Sequence, residues 1–64
     1  MLLLERERKG RGITQAELAR LSGVNDSYIS KAEKHGFAYP AHIRRIARAL
    51  EFDGRPGDLL KEVE

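Results

Sequence analysis

Gln15–Lys34 reads QAELARLSGVNDSYISKAEK, and this stretch decides the fold. It predicts two short helices joined by a tight turn, the first from about Gln15 to Ser22 and the second from about Asp26 to Lys34. Each start carries its own signal. Thr14 stands three residues before Glu17, the spacing of a capping box in which each side chain satisfies a backbone N–H of the other residue. Ile13 and Leu18 flank the box as a hydrophobic staple. Asn25 is the corresponding cap of the second helix, with Val24 and Ile29 as its staple. Gly23 lies between them, where a residue without Cβ adopts the left-handed turn at little cost.

The apolar spacing gives the two helices one seam. Leu18, Ala19 and Ser22 share a face of the first, and Ile29 and Ala32 share a face of the second. Ala19 is small enough for the second helix to cross close by. Asp26, Ser27, Ser30, Lys31 and Lys34 are left pointing outward. A helix with a buried back and a short polar front, held by a turn, suits reading a DNA major groove.

Working outward, Leu2–Lys9 is expected to form a charged first helix with Leu4 inward and Leu2 or Leu3 covering an edge. Gly10 is expected just beyond its end, and Gly12 turns the chain into Ile13. After Lys34, Gly36 and Pro40 punctuate a loop. A further helix follows from about Pro40 to Leu50, with proline favourably placed in its first turn. Ile43, Ile46, Ala47 and Leu50 form its core face, and Arg44, Arg45 and Arg48 lie opposite. Glu51–Asp58 breaks the pattern. A last helical turn over about Pro56–Lys61 would bring Leu59 and Leu60 to the core, with Phe52 filling the space beneath.

Sixty-four residues allow one small domain, and a chain of this size buries only ~60% of its unfolded surface. There is no cysteine, hence no disulfide or thiolate metal site. His35 and His42 have no second ligand pair near them and read as plain surface residues. Three leucines after Met1 are too few for a signal-peptide core or a membrane span, so a cytoplasmic protein is expected. Net charge is +2, divided as +5 over residues 1–50 (ten Lys/Arg, five Asp/Glu) and −3 over residues 51–64 (two and five). The basic part attracts phosphate, and the acidic tail is expected to be held away from it. No nucleophile–base pair, paired carboxylates, phosphate loop or metal-ligand cluster is present, and GRG and GRPG are turns without the strand–loop–helix setting of a nucleotide loop. No enzyme and no cofactor are expected.

Several of these residues together carry a family likeness: Thr14-Gln15-Ala16-Glu17-Leu18-Ala19, Gly23-Val24, Tyr28-Ile29-Ser30 and Glu33, then Pro40, Ile43, Ile46-Ala47, Ala49-Leu50 and Leu59-Leu60. The chain resembles the Cro/C1-type (phage-repressor or XRE-like) helix-turn-helix family over nearly its whole length. The resemblance implies an all-α, compact five-helix, lambda-repressor-like domain over residues 1–64, with its motif at 15–34. It implies a DNA-binding transcriptional regulator, most simply a repressor acting as a homodimer on two-fold symmetric double-stranded DNA.

The resemblance also implies residue roles. Arg8 pairs with Glu33, tying the first helix to the end of the second motif helix and orienting Arg8 toward a phosphate. Gln15 contacts a phosphate or positions the recognition helix, and Asn25 caps that helix and touches the backbone. Asp26, Ser27 and Lys31 face base edges: Lys donates to guanine, Ser is tolerant, and aspartate accepts from cytosine. Asp26 has a competing role, favourable interaction with its own helix N-terminus. Tyr28 and Lys34 are further phosphate candidates. In this family the loop after Lys34 runs along the DNA backbone and often carries cations. Here it offers Phe37, Ala38 and Tyr39, with charge only at Lys34 and His35. Tyr39 is left either to donate its hydroxyl to a phosphate or, with Phe37, to cap the core or meet a partner. The Phe52–Leu59 connection is longer than the family's usual one. The same fold also serves as an antitoxin or protein-interaction module with weak or no DNA binding, the rival reading.

Overall fold

Side-chain caps written into the sequence at Thr14 and Asn25 start the two helices of the motif. The computed structural model describes residues 1–63 and contains α1 (Leu3–Gly10), α2 (Gln15–Ser22), α3 (Asp26–His35) and α4 (Pro40–Ala49), followed by a 3-10 helix, Pro56–Leu60. The expected fifth helix is therefore a single tight turn: Pro56 and Gly57 open it, and five residues leave no room for an α-helical ladder. Glu64, the last residue of the acidic tail, lies outside the described residues.

At α2 both halves of the capping box form, with the Glu17 N–H donating to Thr14 Oγ1 (3.1 Å) and the Thr14 N–H donating to Glu17 Oε1 (3.0 Å). Hydrogen bonding of the Glu17 carboxyl to the Thr14 backbone N–H, and then to the Thr14 hydroxyl, holds it below its ordinary value of 4.5. At α3, Asn25 Oδ1 accepts from the Ser27 N–H at 2.8 Å. Gly23 and Gly36 end α2 and α3 in the left-handed conformation. The expected ends shift slightly elsewhere. Gly10 is the last residue of α1 rather than the one beyond it, and Gly12 makes the turn at φ +69°. α3 extends one residue past Lys34 to His35.

The core is one cluster. Leu4, Leu18, Ile29, Ile46, Leu50 and Leu59 are fully buried, and Leu2, Val24, Ala32, Ala38, Ile43 and Ala47 close it. Ile13, expected inside, is only partly buried and packs against the edge, as does Phe52. α4 packs on α2 and on the 3-10 helix, which also meets α1. The acidic segment is thus docked on α1 and α4. It also pairs with the start of the chain, because Leu2 and Glu62 form an antiparallel bridge and the Leu3 N–H donates to the Lys61 carbonyl at 2.8 Å. Residues sixty positions apart give no local signal of such a pairing.

α4 ends in a Schellman arrangement, with Glu51 N–H bonded to Arg48 O and Phe52 N–H to Ala47 O, both at 3.0 Å. The left-handed residue there is Glu51, at φ 52°, a position that favours glycine. Two residues on, a Cβ at Gly54 would come within 2.8 Å of the Phe52 ring, so any larger residue there would have to displace that ring.

Candidate nucleic-acid interface

The outward face of α3 meets the start of α2 in an open cleft of about 320 Å³, lined by Gln15, Asp26, Ser27, Ser30 and Lys31. All five side chains are polar. Asp26, Ser27, Ser30 and Lys31 are exposed, as the helical spacing predicts for positions opposite Ile29 and Ala32. Ser30, one turn after Ser27, joins on this face the three residues expected at base edges.

Beneath the cleft is a buried polar network. Arg8 Nε donates to Glu33 Oε2 at 2.7 Å and Nη2 to Glu33 Oε1 at 3.2 Å, a bidentate pair. Arg8 Nη1 donates to the Ile13 carbonyl at 2.8 Å. Gln15 Nε2 donates to Glu33 Oε1 at 3.0 Å. Arg8 is 8% exposed and the Glu33 side chain 5%, so the pair is interior. Three of the five guanidinium N–H groups donate to these internal acceptors, which fixes Arg8 within the network. Its effect passes through Glu33 to Gln15, whose amide is fixed at the cleft wall with one N–H and the carbonyl oxygen uncommitted.

The network also settles the local electrostatics. Glu33 would otherwise set a carboxylate on the same helix as Lys31 and Lys34, and Arg8 neutralises it from below. The exposed charges of α3 up to Lys34 are then Asp26, Lys31 and Lys34. Asp26 opens the helix, where the dipole favours a carboxylate, and Lys34 closes it, where the dipole favours a cation.

Behind α3, Tyr28 turns toward α4. Its hydroxyl accepts from the Tyr39 N–H at 2.7 Å, and its ring lies 4.5 Å from that of His42. This corrects the surface reading of His42, which is half-buried with Nδ1 shut off from solvent. Phe37 and Tyr39 do not cap the core: each is 59% exposed, their rings meet edge-to-face at 5.1 Å, and Ala38 between them is the buried residue.

A family model described as helix-turn-helix matches residues 4–54, spanning α1 to α4 and ending just before the 3-10 helix. The chain belongs to the Cro/C1-type helix-turn-helix family. Comparison with curated proteins and with solved structures returned no match. As a Cro/C1-type domain the chain is a DNA-binding helix-turn-helix regulator, in a family that is typically non-enzymatic. Among the described residues, no helix is long and apolar enough to cross a membrane.

Proposed function

We propose that the chain is a cytoplasmic, sequence-specific transcriptional repressor that inserts α3 into the major groove. The observation that carries this reading is the cleft: a hydrogen-bonding front on a short helix, with no buried carboxylate left uncompensated behind it. Lys31, Ser27 and Ser30 face base edges. Asp26 accepts from a cytosine amino group at the helix start. Gln15, held by Glu33, donates its free N–H to a phosphate beside the groove, and Asn25 and Lys34 bracket the helix on the backbone. Tyr39 takes the loop's phosphate, and Tyr28 keeps that loop in place while retaining a hydroxyl proton to donate.

Two copies read a two-fold symmetric operator with half-sites ~10 bp apart. Support for self-association comes from the exposed Phe37–Tyr39 pair and from an apolar groove beside it. That groove is lined by Ala38, Pro40, Ile43, Pro56 and Leu60. The same exposed aromatic pair favours the second reading, an antitoxin or interaction module in which a protein partner covers it.

Dissociation constants on a selected operator and its single-substituted relatives, at two salt concentrations, test the proposal. Lys31→Ala should lose ~1–3 kcal/mol on the cognate site and relax preference at one base pair. Lys34→Ala should weaken all sequences alike and lower the salt slope by about one per contact. Asp26→Asn should weaken binding only where cytosine is read and strengthen it elsewhere. Constants that ignore Lys31 and Asp26 alike would remove α3 from the groove and leave the interaction module.

A further inference from the structure

A second surface lies at the other end of α2 and shares no residue with the reading cleft. Leu21, Ser22, Arg45, Arg48 and Ala49 line a groove of about 370 Å³ between the last turn of α2 and the C-terminal half of α4. Two features set it apart. Leu21 is 61% exposed, a large apolar side chain held on the outside of a helix whose inner face is already filled by Leu18. Arg45 and Arg48, one turn apart on α4 with Arg44 beside them, are exposed, and no ion pair among the described residues involves any of the three. α4 has no acidic residue of its own to balance them.

The combination is an apolar centre with a guanidinium rim. Guanidinium forks bind carboxylates bidentately, and their methylene stems extend the apolar floor around Leu21. Cations on this rim would repel a second basic patch and attract an acidic one. We infer that this groove docks an acidic segment of a partner protein that presents one aliphatic side chain to Leu21 between carboxylates that meet Arg45 and Arg48. The complementarity is specific in both parts: an acidic segment without the aliphatic residue leaves Leu21 wet, and an aliphatic one without carboxylates strands two arginines. The groove shares no residue with the cleft that holds Gln15 and Lys31 and lies at the opposite end of α2, so a partner there need not compete for those residues.

The test is a heteronuclear NMR titration of the full chain with a synthetic helical peptide carrying one leucine flanked by glutamates. The same peptide with its leucine replaced by glutamine is the control. The leucine peptide should shift the amides of Leu21, Ser22, Arg45, Arg48 and Ala49, and the control should bind at least about tenfold more weakly. The double variant R45E/R48E should lose about tenfold or more in affinity through like-charge repulsion, and L21S should lose the discrimination between the two peptides. All three positions are exposed, so the variants keep the fold; L21S should leave operator affinity unchanged, and R45E/R48E, which takes the net charge from +2 to −2, should lower it only through a long-range effect that added salt removes. No shift at the groove, shifts confined to α3, equal binding of both peptides, or occupation of the groove by duplex DNA or by a second copy of the chain would each overturn the inference.

Discussion

Removing the Glu33 carboxylate should unfold or nearly unfold the domain, although Glu33 contributes nothing to the apolar core. In the native state its two oxygens accept three hydrogen bonds, from Arg8 Nε at 2.7 Å, Arg8 Nη2 at 3.2 Å and Gln15 Nε2 at 3.0 Å. Glu33→Leu leaves an 8%-exposed guanidinium with only the Ile13 carbonyl, and a Gln15 amide without its acceptor. Breaking a buried pair from one side typically costs ~3–5 kcal/mol, most of it the desolvation of the stranded charge. A chain of 64 residues has roughly 3–10 kcal/mol of stability in total, from roughly 0.05–0.15 kcal/mol per residue. The single change is therefore comparable to the whole. Arg8→Met should cost a similar amount, because it strands the carboxylate instead. The double variant Arg8→Met/Glu33→Leu removes both charges and fills the space with apolar atoms, which is often neutral or stabilising. Urea unfolding followed by circular dichroism should give a coupling energy of about 3 kcal/mol or more across this cycle, against ~0.2–1 kcal/mol for an exposed pair. Single variants that each lose less than about 1 kcal/mol, with effects that simply add, would refute the claim that the pair is buried and mutually dependent. The double variant has a second use. If it folds but binds its operator more weakly at Gln15-dependent contacts, the network positions Gln15 as well as supporting the fold.

Three further predictions concern the scaffold. Ile29→Ala, at a fully buried position on the back of α3, should destabilise by ~2–5 kcal/mol, read as a fall in melting temperature or loss of the cooperative transition. Glu51→Gly should stabilise the fold, because it relieves a left-handed non-glycine residue at φ 52°. The strain released, roughly 1–2 kcal/mol, exceeds the roughly 0.4–1 kcal/mol of extra unfolded-state freedom, so the urea midpoint should rise. Glu17 has its folded pKa lowered by the bonds to Thr14, so its contribution is present above the ordinary value of 4.5 and is lost as pH falls through the folded value. Glu17→Gln should flatten that limb of the stability–pH curve, and a curve superimposable on the parent's would refute the capping assignment.

What the sequence determined by itself is the local part. The Thr14–Glu17 box, the Asn25 cap and the glycines at 23 and 36 act within three or four residues, so the limits of α2 and the start of α3 follow from spacing alone. Apolar periodicity likewise separates the inner residues Leu18, Ile29, Ile43 and Ile46 from the outer Lys31, Arg45 and Arg48. The Arg8–Glu33 pairing was legible through the family resemblance, since no spacing rule connects residues on two different helices. Periodicity says which face of an element is buried and is silent on what it meets. Only the tertiary structure decided that Gln15 is the third member of that pair, that Tyr28 supports the Tyr39 loop, and that Leu2 pairs with Glu62. It also decided that Phe37 and Tyr39 stand outside the core while Ala38 goes in, and that Leu21 and two arginines face one groove. Each of these depends on how α1, α4 and the closing 3-10 helix are set against the motif, a long-range arrangement fixed by the shared core and not by any segment alone.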